Sequence, residues 1–222
     1  TQNEVAAIAP VFIVDQTFCP NVRLLDHESS LVQVQTLSFS SGSKFPSGGH
    51  CTAGYVTANK NGEPLLSYIE QHLQLCDNFC TPLQLQTLSR TMPSMKQRIE
   101  QAFRHTQRFV QHIKDKWPRT KVSFIREDLI AQGFTPSVFS FDLPEKGETP
   151  LERDTYKKDL NFRLITHIVS NLPDTAKHCV SYGQLRKSYW TVPATSTQGT
   201  TKEEDKDYVV RVAIPPEINM DE

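Results

Sequence analysis

A chain of 222 residues with a formal net charge of −1 is long enough to bury a core without disulfide or metal staples. It is also too nearly neutral to bind polyanions over its whole surface. Its 37% hydrophobic and 22% charged composition, with a mean hydropathy of −0.45, is that of an ordinary globular domain, and no apolar run approaches the ~20 residues of a membrane helix.

Five cysteines cannot all pair within one chain, and so sparse an odd set fits a reduced protein rather than a disulfide scaffold. Thr1 to Pro10 lacks the basic and long apolar stretches of a secretory leader. The expected location is therefore the cytoplasm, with no membrane partner.

In chain order, Val11-Phe12-Ile13-Val14-Asp15 reads as a buried strand that ends in a carboxylate. Open α/β sheets bind ligands beyond the carboxyl ends of their strands, so Asp15 is a candidate site residue. Leu31 to Phe39 alternates as a strand, and Ser40 to Gly49, rich in Ser, Gly and Pro, reads as a loop. Tyr55 to Ala58 is a short strand closed by the turn signal Asn61-Gly62, which makes 40–62 a loop or hairpin insertion. Pro64 opens a helix carrying Leu65, Leu66, Ile69, Leu73 and Cys76 at helical spacing.

The clearest helix runs from about Ser94 to Lys116. Ser94 and Gln97 form a capping-box pattern, and Met95, Ile99, Phe103, Val110, Ile113 and Trp117 keep one apolar stripe. A strand over 121–125 follows, then Glu127-Asp128 before a short helical turn, and a strand over 137–141. Thr149-Pro150 announces another helix, with Tyr156, Leu160, Leu164, Ile165 and Ile168 on its inner face. Residues 193–207 read as a mobile loop, and Tyr208 to Ile214 as a last strand. This order predicts a single α/β domain over 1–222, three-layered, with a mainly parallel central sheet and helices on both faces.

Charge is distributed unevenly. Between Ser94 and Arg126 nine bases face only Glu100 and Asp115. Arg98, Arg104 and Arg108 lie off the apolar stripe and are candidates for binding an acidic partner, although most charged helix faces are simply solvated. No zinc finger or aromatic RNP-like strand accompanies them, which leaves a nucleic-acid partner open. Tyr182, Tyr189 and Trp190, near Arg186 and Lys187, have the composition of an interface cluster, as well as of half-buried packing.

Asp15-Gln16-Thr17 resembles the first motif of the haloacid-dehalogenase-like phosphotransferases, and Phe124 to Asp128 resembles their last, so the likeness spans residues 11 to 141. It implies Asp15 as nucleophile and Mg²⁺ ligand, Thr57 as phosphate contact, Lys121 or Lys116 as charge neutraliser, and Glu127 and Asp128 as further Mg²⁺ ligands. A cation is needed because a carboxylate otherwise repels a phosphate. Thr17 stands where that family has a second aspartate, and Phe18 where it has glycine.

The function expected is thus a divergent Mg²⁺-dependent phosphohydrolase or phosphotransferase acting on a phosphorylated small molecule. Against it, an aspartate ending a strand commonly caps a turn, and Glu127-Asp128 suits a helix N-terminus. The alternative is a non-enzymatic interaction protein on the same scaffold, binding an acidic or phosphate-bearing partner through the basic helix. A third reading is a cysteine hydrolase using Cys51. His72, Cys76 and Cys80, at i, i+4 spacing, form a candidate zinc set with His50 or Cys51, set against plain burial of small apolar cysteines.

Overall fold

The computed structural model describes residues 11–26, 31–179, 181–184, 187–193 and 208–218, of which 187–193 in backbone course only. The chain packs as two compact units, 1–96 and 97–222, and its strands form two sheets rather than the one sheet expected. Among the described residues, no helix is long and apolar enough to cross a membrane.

In the first unit, β1 (Val11–Asp15) lies parallel to β2 (Gln35–Ser41), and β3 (Gly54–Ala58) lies antiparallel to β2. The Asn61-Gly62 pair does not close this hairpin. It belongs to a 3₁₀ turn, Lys60–Gly62, that leads into α1 (Glu63–Leu75).

Asn59 explains the difference. Its buried carboxamide accepts from Thr36 N at 3.1 Å and Gly62 N at 2.9 Å and donates to Val34 O at 2.7 Å. It thereby ties the start of β2 to the end of β3. A second helix, α2 (Pro82–Thr91), starts at a Thr81–Gln84 capping box. One core cluster here is small, made of Cys51, Ala53 and Leu88 with Cys80 and Met92 packed against them, and Val34, Leu37 and Phe45 are buried outside it.

The second unit is built around α3 (Met95–Lys116), whose first turn contains the unit boundary. Ile99, Ala102, Phe103, Thr106, Val110 and Ile113 form its buried stripe, close to the periodicity in the sequence. After it come β4 (Val122–Ser123), α4 (Glu127–Ala131), β5 (Val138–Phe141), α5 (Pro150–Asn171), β6 (Ala176–His178), β7 (Lys187–Pro193) and β8 (Tyr208–Ala213). The sheet order is β4-β5-β8-β7-β6. The expected run of parallel strands is absent. β4/β5, β5/β8 and β7/β8 are antiparallel, and β6/β7 alone is parallel.

The reason lies in α4, which has only 5 residues: a single helical turn does not carry the chain back along the sheet, so β5 returns beside β4. The fold is mixed α/β. β8 is central, and its Val210 and Val212 meet Phe139, Ile165, Val110 and Ile113 in the main core. Residues 194–207 of the expected mobile loop lie outside the described residues, as do the side chains of Tyr189 and Trp190.

Candidate functional site

β1 and β2 run parallel and end side by side, with Asp15 in register with Phe39. Beyond that row the two chains are stitched together. Gln16 N–H donates to Phe39 O at 2.8 Å, and the Ser38 hydroxyl donates to Gln16 Oε1. Ser41 N–H donates to the buried Thr17 hydroxyl at 3.0 Å. The Asp15 carboxylate accepts from Thr17 N–H at 2.9 Å, which fixes its direction in an Asx turn.

β2 then runs into Ser41-Gly42-Ser43-Lys44. The Ser41 and Ser43 hydroxyls are 2.8 Å apart. Lys44 accepts from Gly48 N–H at 2.8 Å and is followed by the buried Phe45 and Pro46, so its backbone is held from both sides. Gly42 is dictated by space: a Cβ there would stand 1.9 Å from the carbonyl oxygen of Ala53.

Of the three lysines in the first unit, Lys44, Lys60 and Lys96, only Lys44 stands at the carboxyl edge shared by β1 and β2. A cavity of about 930 Å³ in this unit is walled in part by Phe39, Ser40, Ser41 and Val56. On that wall the Ser40 hydroxyl is buried and has no hydrogen-bond partner among the described residues.

The acids singled out in the sequence do not share a sheet. Asp15 ends β1 in the first unit, whereas Glu127 and Asp128 open α4 in the second. Both Asp128 oxygens are taken by Arg126, at 3.0 and 2.8 Å. Thr57 pairs in register with Ser38. It is one row from Asp15 with β2 between them, and on the opposite face, because neighbouring rows alternate. Lys121 is exposed in the second unit, just before β4.

Among the described residues no group of three or more His, Cys, Asp or Glu side chains is placed to hold a metal, which applies to the acids and to His72/Cys76/Cys80 alike. Cys76 caps α1 at an exposed position and Cys80 packs beside Leu88. Cys51 is buried against the Gln84 carbonyl, its thiol 3.7 Å away, while His50 is exposed, so the two form no nucleophile–base pair. On α3, Arg104 and Arg108 are exposed and Arg98 is half-buried. Burial lowers the Arg98 guanidinium from its ordinary pKa, and the charge of Glu217 opposes that shift.

No family and no curated protein matches the sequence. Solved structures do match the fold. Cystathionine gamma-lyase from Lactobacillus plantarum, complexed with L-serine, matches at a TM-score of 0.69 and 18% identity, over 98% of this chain and 55% of that one. Cystathionine gamma-synthase from Xanthomonas oryzae pv. oryzae, in complex with aminoacrylate and cysteine, matches at 0.69 and 17%, over 97% and 54%. CalE6 from Micromonospora echinospora, a methionine gamma-lyase, matches at 0.68 and 14%, over 98% and 53%.

The likeness is one of fold. It overturns the resemblance to the haloacid-dehalogenase-like enzymes, and with it the Mg²⁺-dependent phosphatase and its Mg²⁺ cofactor, and it gives no support to a cysteine hydrolase. A strand-terminal aspartate is too short a signal to specify a family, which is why Asp15 alone misled. The chain spans about 55% of the length of these neighbours. Lys44, Ser41 and Ser43 escaped the sequence reading, although a lysine beside two serines at a strand end was the available signal.

Proposed function

We propose that this chain is part of a pyridoxal-phosphate enzyme acting on an amino acid that carries a leaving group, such as sulfur, on its γ-carbon. Lyases and synthases of this kind must remove an α-proton from an amino acid, which needs an electron sink. When bound, pyridoxal phosphate supplies that sink. The observation that carries the reading is the pairing of strand ends: Asp15 closes β1, and Ser41 to Lys44 continue β2 beside it.

The donor set fits the group. Lys44 offers an amine for its aldehyde carbon, Asp15 a carboxylate for its ring nitrogen, and Ser41 and Ser43 hydroxyls for its phosphate. The Asp15 carboxylate would hold the ring nitrogen protonated, strengthening the sink. The Lys44 amine would hold the cofactor and is the group placed to take the proton from the substrate Cα. The hydrogen-bonded turn from Ser41 to Gly48 holds the anchor still, so little ordering is left to the moment of reaction.

Incubation of the full chain with pyridoxal phosphate, borohydride reduction and peptide mapping by mass spectrometry tests this directly. The expected adduct is on Lys44, is absent in Lys44→Ala, and is retained more weakly before reduction in Asp15→Asn. An adduct shared evenly with the exposed Lys60, or unchanged cofactor retention in Asp15→Asn, would sink the assignment.

A further inference from the structure

A second cavity, of about 700 Å³, lies wholly within the second unit, between the C-terminal end of α3 and the segment that follows β5. Its size is that of a small-molecule site rather than a peptide groove. Lys116, Arg119 and Lys121 line it, are exposed, and have no ion-pair partner among the described residues.

The buried Lys157 reaches the same wall from α5, its Nζ 2.7 Å from Asp142 Oδ1, with the lysine side chain only 5% exposed. Glu145 is the other acid on the wall. Four cations therefore meet two carboxylates, one of which Lys157 already neutralises. Trp117 also lines the cavity and leaves 59% of its surface open, unusual for so large an aromatic side chain.

The walls are held in place. Trp117 N–H donates to Ile113 O at 2.8 Å, Thr120 N–H to Trp117 O at 2.9 Å, and Asp142 N–H to Lys121 O at 2.9 Å. These bonds hold the backbone from which Trp117, Arg119 and Lys121 project.

We propose that this cavity binds a small phosphate-bearing ligand with a planar ring, the chemistry of a nucleoside diphosphate. A terminal phosphate alone carries about −1.5 to −2 at neutral pH and the second phosphate adds a further charge, so the surplus of two positive charges offsets most of the charge of a diphosphate and would exceed that of a single carboxylate. Arg119 offers a planar fork for paired phosphate oxygens, and the two lysines add point charges. The open face of Trp117 provides a stacking surface for the ring. This assignment is independent of the pyridoxal-phosphate reading, which rests on residues of the first unit.

ADP is a suitable probe. The chain has two tryptophans, so Trp190→Phe leaves Trp117 as the single reporter. Titration with ADP should change Trp117 emission saturably, and added salt should weaken the binding. Loss of two charge-assisted contacts, by Arg119→Glu with Lys121→Glu, should weaken ADP binding at least about tenfold without lowering the melting temperature, since both side chains are exposed. If Trp190→Phe disturbs folding, calorimetry on the otherwise unaltered chain makes the same comparison. Three results would each overturn the proposal: no saturable binding, binding indifferent to the double reversal, or inorganic phosphate binding as tightly as ADP.

Discussion

Gly42 shows how a single residue positions the candidate site. It separates Ser41 from Ser43 and passes so close to Ala53 that a Cβ would lie 1.9 Å from that carbonyl oxygen. The obstacle is backbone of the neighbouring chain segment, which cannot rotate away. Gly42→Ala should therefore cost about 1–3 kcal/mol, as overpacking usually does, and displace the Ser41–Lys44 turn. Denaturant unfolding gives the cost, and reduced adduct formation on Lys44 gives the displacement. A variant as stable as the parent that labels Lys44 normally would mean the turn has room to spare.

At the same scale, Asp15 was legible in the sequence as a strand-terminal acid, and its partner was not. Nothing local says which strand lies beside β1; the β1/β2 pairing joins Asp15 to Phe39 across the intervening chain. Without that pairing, Lys44 looks like one more polar residue in a serine-rich loop.

Among the elements, those governed by local patterns were readable. The stripe of α3 and the Thr149-Pro150 start of α5 follow from side-chain periodicity and from satisfying the first N–H groups of a helix. The helix α2 was missed despite its Thr81–Gln84 capping box, because its apolar residues are few, and Leu88 alone among them is buried. Strand direction was not readable, since it depends on whether the connection is long and regular enough to cross the sheet.

The start of α5 carries a pH prediction. Glu152 Oε2 accepts from Thr149 N–H at 3.0 Å and Glu148 N–H at 2.9 Å. These bonds, that from Thr149 first, hold its carboxyl below the usual range. A depressed carboxylate contributes its stabilisation fully above its unfolded pKa and loses it as pH falls through the folded one. Amide exchange in the first turn of α5 should thus accelerate, beyond the intrinsic pH trend, on acidification through the carboxylate range. Glu152→Gln should abolish that step. A step of equal size in the Gln variant would assign the acid sensitivity to another group.

For the whole molecule, the division into 1–96 and 97–222 comes with two cores of unequal depth. The second unit buries Val110, Ile113, Phe139, Ile165, Val210, Val212 and Ile214 together, whereas the cluster of the first holds Cys51, Ala53 and Leu88, with Val34, Leu37 and Phe45 buried outside it. Both tryptophans, Trp117 and Trp190, belong to the second unit, so tryptophan fluorescence reports that unit while circular dichroism reports both. Truncating a buried Leu or Ile to Ala typically costs about 2–5 kcal/mol. Leu88→Ala should therefore lower the unfolding midpoint seen by circular dichroism and leave the fluorescence midpoint close to that of the parent. Ile165→Ala should move the fluorescence midpoint, and with it only the second unit's share of the circular dichroism change. Equal shifts in both signals for either substitution would mean that the two units unfold in one cooperative transition.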